Sequence, residues 1–407
     1  MAPRLIEVRA TRIGGIVAAI LAVAALAVAC SDGDARSQTA DAGDAAGASI
    51  DELQFNGSVA EFYEVPDPLP SGEDGALIRT MPVEAPSGEV GLRIMYHSTD
   101  AEGDDRAVTG VVYFPTGEAP EGGWPILAWA HGTSGLAAKC APSRNPKPPP
   151  DFGVRGVRVA TDYIGLGPEG ELHPYLSAAA EAHAVIDSVT AVRAVPDAHA
   201  GEDWVVVGVS QGGHAALVTN EAAAERLPES NLLGAVAIAP GSQLGDTYGD
   251  DIQARLITTL VLVGAAAEDD DVDLGEYLSP PVLEASAVIE HGCMGEITPT
   301  LVSVATLPDY FLTDPRTAPL GQAWLEENDP GQVAAESPVL VVQGGKDLLV
   351  LPRRTAALID RMCSLGQVVE RLDVPTGGHD TVTEHGRGQI TTWVAARFAG
   401  EPVTDGC

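Results

Sequence analysis

The stretch Gly208-Val209-Ser210-Gln211-Gly212 sets a hydroxyl between two glycines, after the apolar run "DWVVVGV" and before a helix-length segment. A side chain at 208 or 212 would crowd the sharp turn that lifts a serine above a sheet edge, so the pattern reads as a nucleophile elbow. A serine hydroxyl is a weak nucleophile near neutral pH and needs a base, itself oriented by a third group. Downstream, "PVLVVQGGKD" runs a strand into glycines and then Asp347, and "LDVPTGGHD" delivers His379 in the same way. In this reading His379 takes the proton from Ser210 and returns it to the leaving group. Asp347 fixes the imidazole tautomer and stabilises its cation. The competing acids, Asp309, Asp314 and Asp373, follow no strand into a glycine turn so cleanly, and the competing base, His385, sits in the start of the final helix. For Asp347 the structural alternative is a cap on the helix beginning near Pro352. The other histidines, including His214 just past the elbow, read as packing or surface residues.

Acyl transfer through a tetrahedral intermediate also needs donors for an oxyanion. The backbone N–H of Gln211 follows the serine directly and is one. "WAHGTSG", after a strand, supplies the other, from the Thr133 amide or hydroxyl, with His131 shaping the loop. The stiff segment "CAPSRNPKPPP" beside it is expected to form one wall of the mouth.

These residues need a frame that gathers strand ends. From about Leu92, short apolar runs separated by Gly, Pro and Asp clusters predict strands, among them "LRIMYHS", "AVTGVVYF", "WPILAWAHG", "GVRVATDY", "LLGAVAIAP" and "QVVERLDV". Helices are expected over Ala178 to Val195 and His214 to Leu227. Antiparallel strands followed by β–α alternation imply an α/β fold, a mostly parallel sheet flanked by helices. From about 241 to 337 the alternation stops and only helical fragments and prolines remain, which predicts a helical cap or lid insertion. Its acidic run, Glu268 to Asp273, lacks the glycine and spacing of an EF-hand and reads as a solvated loop. There is no internal repeat, and no metal site is expected.

The amino terminus is of another kind. Arg4, Arg9 and Arg12 precede an apolar run from Ile13 to Ala29 that ends at Cys30 in "AVAC". Residues 1–30 therefore read as a signal peptide whose end resembles a bacterial lipobox, with Cys30 as the lipidated residue and a membrane anchor; an ordinary signal peptide cleaved nearby, giving a secreted protein, or an uncleaved anchor is the alternative. Residues 31–52, rich in Ala, Gly, Ser and Asp, read as a flexible linker, and 53–407 as the folded domain. An exported chain can keep disulfides, and Cys140, Cys293, Cys363 and Cys407 allow two bridges in three pairings. The formal net charge of −35 argues against nucleic acid as a partner.

"HGT", "ATDYIGLG" with "HPYL", "GVSQGGHAA", a long insertion, "GGKD" and "GGH" together resemble the secretory lipase family of the α/β-hydrolases, including its bacterial members. The likeness runs from Leu53 to Cys407. It implies carboxylic-ester hydrolysis, often of acylglycerols, with water as second substrate, no cofactor, and a cap over an apolar acyl tunnel. By the same resemblance Ser210, Asp347 and His379 take the triad roles, the Thr133 loop lies near the oxyanion, and Cys140 pairs with Cys293 and Cys363 with Cys407. A short-chain or aromatic esterase is the alternative, a serine peptidase a weaker one. A non-catalytic lipid-binding surface lipoprotein is the alternative from another class.

Overall fold

A computed structural model describes residues 53–407. The expected signal peptide, the lipidation residue Cys30 and the linker to residue 52 lie outside the described residues.

Nine strands form one sheet in the order β1-β2-β3-β5-β4-β6-β7-β8-β9. The first three, β1 (Leu77–Val83), β2 (Glu89–Thr99) and β3 (Asp105–Pro115), are antiparallel, and β3 is also antiparallel to β5 (Val157–Thr161). From β5 onward the sheet is parallel through β4 (Trp124–Ala130), β6 (Ala200–Val209), β7 (Asn231–Ile238), β8 (Val339–Gly344) and β9 (Val369–Val374). Sequence reading began its strands at Leu92 and missed β1. Its "LIRTMPV" carries Pro82 and an arginine and lies at the sheet edge, where one open side tolerates a residue without an N–H and breaks the alternation that marks a strand.

The central strands read as unbroken apolar runs because both faces are covered. Successive residues point to opposite sides. Thus Ile126, Ala128, Val206, Ala235 and Val341 join one buried cluster, with α2 (Ala178–Arg193), α3 (Gln211–Arg226) and α9 (Pro352–Ser364). Leu127, Val205, Val207, Ile238 and Val342 join another, against Ile390, Trp393 and Val394 of α10 (Val382–Phe398). A short helix, α1 (Val59–Phe62), precedes the sheet and opens with a capping box at Ser58.

Between β7 and β8 the chain forms α4 (Ile252–Glu268), α5 (Leu274–Tyr277), α6 (Pro280–Ser286), α7 (Met294–Val304) and α8 (Pro319–Glu327). These helices bury their apolar faces on one another and on Leu136, Tyr175 and Leu176 of the sheet-domain loops, in a cluster that includes Leu260, Tyr277, Ile297, Leu301 and Trp324. The bridge Cys140–Cys293 ties the insertion to the loop after β4, and Cys363–Cys407 ties α9 to the carboxyl end of the chain. The acidic run is only partly solvated. Glu268 accepts hydrogen bonds from Ser177 Oγ and from Trp324 Nε1, the latter at 2.8 Å, because it ends α4 beside the start of α2.

Candidate active site

Ser210 joins β6 to α3 with φ 59° and ψ −115°, a left-handed backbone that a non-glycine residue adopts only under constraint. The constraint is steric. A Cβ at 208 would stand 1.8 Å from the Gly212 carbonyl oxygen, and one at 212 would stand 1.9 Å from that of Ala130. No side chain fits either gap, so the turn closes tightly against β4. The Ser210 N–H donates to the Ile238 carbonyl at 2.9 Å, and its own carbonyl accepts from Gly241 at 3.0 Å and His214 at 3.1 Å.

The ends of β8 and β9 bring the other two side chains to this turn. His379 Nε2 lies 3.0 Å from Ser210 Oγ, and His379 Nδ1 lies 2.9 Å from Asp347 Oδ2. With Asp347 ionised, its partner Nδ1 carries the hydrogen, which leaves Nε2 free to accept from the serine. Asp347 is 2% exposed, and its other oxygen accepts from the backbone of Leu349 and Val350, each at 2.9 Å. It does not cap the next helix, whose N-cap is Leu351. The competing residues are engaged elsewhere: Asp314 pairs with Arg316, Asp373 with Arg371, and His385 faces Thr376, while Asp309 is exposed.

Gln211 is the first residue of α3, so its N–H has no carbonyl within the helix to meet. Thr133 lines the same cleft as Ser210, its hydroxyl 2.9 Å from that of the buried Tyr175. That engages the side chain and leaves the Thr133 amide as the freer donor. His131 holds the loop's shape, with Nδ1 2.8 Å from the Gly132 carbonyl and its ring 4.5 Å from that of Tyr163. The segment after Cys140 does not wall the cleft. It makes a short turn over Pro142–Arg144, and Ser143 is buried against Asp162 and Tyr63, because an ionisable carboxyl this deep needs donors and Ser143 gives it a backbone N–H at 2.8 Å and a hydroxyl. Burial, only partly offset by those bonds, holds the Asp162 carboxyl above its ordinary range.

A cleft of about 870 Å³ opens over Ser210 and His379, with Ile252, Leu256, Met294 and Val302 of the insertion as its apolar wall. A second, narrower cavity of about 40 Å³ is lined by Ser210, Gln211, Leu244 and Thr247. Leu244 and Thr247 also bound an inner space between α4 and α8, lined by Val261, Leu262, Trp324 and Leu325. Among the described residues, no group of three His, Cys, Asp or Glu side chains is disposed to hold a metal ion.

Sequence reading missed the polar group behind the elbow. Glu181, His173 and His214 are fully buried there and bonded to one another or to Gln211. One signal was available: His214 stands four residues after Ser210, one helical turn away and on the same face.

The family model described as secretory lipase matches residues 154–406. A probable inactive lipase of Mycobacterium tuberculosis is 23% identical over 379 residues, covering 84% of this chain and 83% of the relative. Lipase 6 of Candida albicans is 27% identical over 250 residues, 55% of this chain and 52% of the relative. Among solved structures, the rice cell wall degrading esterase LipA of Xanthomonas oryzae superposes with a TM-score of 0.67 at 21% identity, covering 80% of this chain and 98% of that one. Candida antarctica lipase A gives 0.69 at 16% identity, with 84% and 86% covered. At such identities the two structures speak for the fold, the α/β-hydrolase architecture.

Proposed function

Because the chain belongs to the secretory lipase family, we propose that it hydrolyses carboxylic esters of lipids through an acyl-enzyme formed on Ser210. The observation that carries this reading is the hydrogen-bonded row Asp347–His379–Ser210 opening onto an apolar cleft.

In the first step Ser210 Oγ attacks the ester carbonyl while its proton passes to His379 Nε2. Charge on the carbonyl oxygen is met by the Gln211 and Thr133 amides. The imidazolium, stabilised by Asp347, then protonates the departing alkoxide and leaves the acyl group on the serine. Water repeats the sequence against the acyl-enzyme, giving its proton to His379, and the released acid restores Ser210. The acyl chain runs from Ser210 past Leu244 towards the space between α4 and α8, which has to widen to take it because only about 10 Å³ is open there, so that 241–337 acts as a cap on a domain spanning 53–407. Cys30 would anchor the exported protein to a membrane, export being in keeping with a secretory family.

Two experiments test the reading. A fluorophosphonate probe should label the wild type and not Ser210→Ala. A series of p-nitrophenyl acetate, octanoate and palmitate should favour the longer esters, and cleavage of acetate alone would turn the reading to a short-chain esterase. The mycobacterial relative named as inactive motivates the second reading, a lipid-binding surface protein, which an unlabelled wild type would favour.

A further inference from the structure

Behind the elbow, Glu181 in the first turn of α2 offers both carboxylate oxygens to partners in α3. Oε2 accepts from His214 Nδ1 at 2.7 Å, and Oε1 accepts from Gln211 Nε2 at 2.8 Å and from the Leu176 backbone at 3.3 Å. The second ring nitrogen of His214, Nε2, lies 2.8 Å from the Asn328 carbonyl, just beyond α8. With Glu181 ionised, its oxygens and the Asn328 carbonyl can only accept, so both nitrogens of His214 carry hydrogen and the ring is an imidazolium. Burial alone would push this imidazole down, but the Glu181 carboxylate and its hydrogen bond outweigh it and hold His214 above the ordinary histidine value.

His173 is in the opposite state. Its Nδ1 donates to the Ile164 carbonyl at 2.8 Å, and Nε2 therefore accepts from Gln211 Nε2 at 2.6 Å. Both hydrogens of the Gln211 amide are thus committed, one to Glu181 and one to His173. Turned over, that amide would aim its oxygen at a carboxylate and an imidazole lone pair, so only one orientation survives. The amide oxygen itself is buried without a partner. A buried ion pair adds little stability over an apolar pair of similar volume, which leaves its geometry as what the fold gains from it.

We propose that Glu181 and His214 are positioning residues: His214 fixes Glu181, whose carboxylate together with His173 clamps the Gln211 side chain and thereby aims the Gln211 backbone N–H at the oxyanion, an arrangement completed only when the insertion seats Asn328 on His214. The inference rests on the ester-hydrolase reading. It makes the oxyanion donor depend on the packing of the insertion and not on the elbow alone, since Asn328 also accepts from the Ala178 N–H at 2.7 Å and so joins α2, α3 and the return of the insertion.

The test uses the full chain, with p-nitrophenyl octanoate as substrate and active sites counted by fluorophosphonate labelling carried to completion. Glu181→Gln and His214→Gln should each lower kcat per labelled site by about 10- to 100-fold, short of the effect of removing an oxyanion donor outright. KM should stay within about threefold, because only the transition state carries the charge. The double variant should be no slower than the slower single, as expected of two groups acting as a unit. Should either single fail to fold, Gln211→Met decides, since it cuts the clamp and leaves the pair. A fall in its kcat of about tenfold supports the proposal, and an unchanged kcat overturns it. Lower melting temperatures with kcat per site at the wild-type value would make the pair merely structural and overturn the proposal. An unlabelled wild type would take down the ester-hydrolase reading as well, whereas a labelled wild type with equally fast variants defeats the positioning role alone.

Discussion

The two sides of the cleft are built by different physics. On the sheet side Ser210, Asp347 and His379 stand at the ends of β6, β8 and β9, in turns that close so tightly that the backbone leaves no room for a Cβ at 208 or 212. On the other side Ile252, Leu256, Met294 and Val302 belong to helices whose apolar core takes in Leu136, Tyr175 and Leu176 from loops of the sheet domain and is tied to that domain further by one disulfide and a few polar anchors. Sterics hold the turn that carries Ser210 in place. Apolar packing, which is tolerant of exchange among residues of similar volume, shapes the surface that meets the substrate. On the proposed ester-hydrolase reading the difference assigns chemistry to the first side and choice of ester to the second, and substitutions on each side should separate kcat from chain-length preference.

Asp347→Asn should have the largest effect. The amide can present its N–H₂ to His379 and favour the wrong tautomer, so kcat should fall by about 10⁴-fold for every ester in the series with the fold intact. A loss that varied with acyl length would place part of the choice on the sheet side and blur the contrast.

Leu244→Trp should act on the opposite side and more gently. Leu244 is 1% exposed and lines both the narrow cavity and the space between α4 and α8, so an indole there blocks the proposed acyl route. We expect kcat/KM for octanoate and palmitate to fall by about 10- to 100-fold while acetate changes little, the scale of discrimination that an apolar pocket achieves. Equal losses across the series would mean that the acyl chain takes another route.

The same division explains what the sequence could reveal. The three strand-end residues were legible because each follows an apolar run and a glycine turn, and the helices α2 and α3 were legible from their length and terminators. The insertion showed itself only as an interruption: most of its helices are short, and α4, although longer than α2 or α3, is buried along most of its length and so lacks the polar face that marks a helix at a surface. The elements misread were those whose role depends on a distant partner. Ser143 sits in a proline-rich stretch that suggests a surface wall, yet the buried Asp162 carboxyl draws it inward. Glu181 stands in an alanine-rich helix with nothing local to mark it, and its meaning comes from His214 and Gln211 in the next helix.

The buried imidazoles offer the smallest and most selective probe of where the two sides meet. Burial pushes His173 down to about 4, against an ordinary value of 6.5, so the folded protein binds fewer protons here than the unfolded chain across that interval. Stability from His173 is therefore present above pH 6.5 and is lost as pH falls towards 4, an amount on the order of 3 kcal/mol. His214, held above its ordinary value, has the opposite sign: its contribution is present below 6.5 and is lost as pH rises through the folded value. In His173→Gln the variant loses hydrogen bonds at every pH, so its absolute stability decides nothing. The slope does. Urea unfolding followed from pH 6.5 to 4 should give a stability that falls less steeply in the variant than in the wild type, because one proton fewer is taken up on unfolding. Parallel slopes would mean that His173 already carries its proton in the folded protein, and then the Gln211 amide could not be clamped in the orientation on which the oxyanion donor depends.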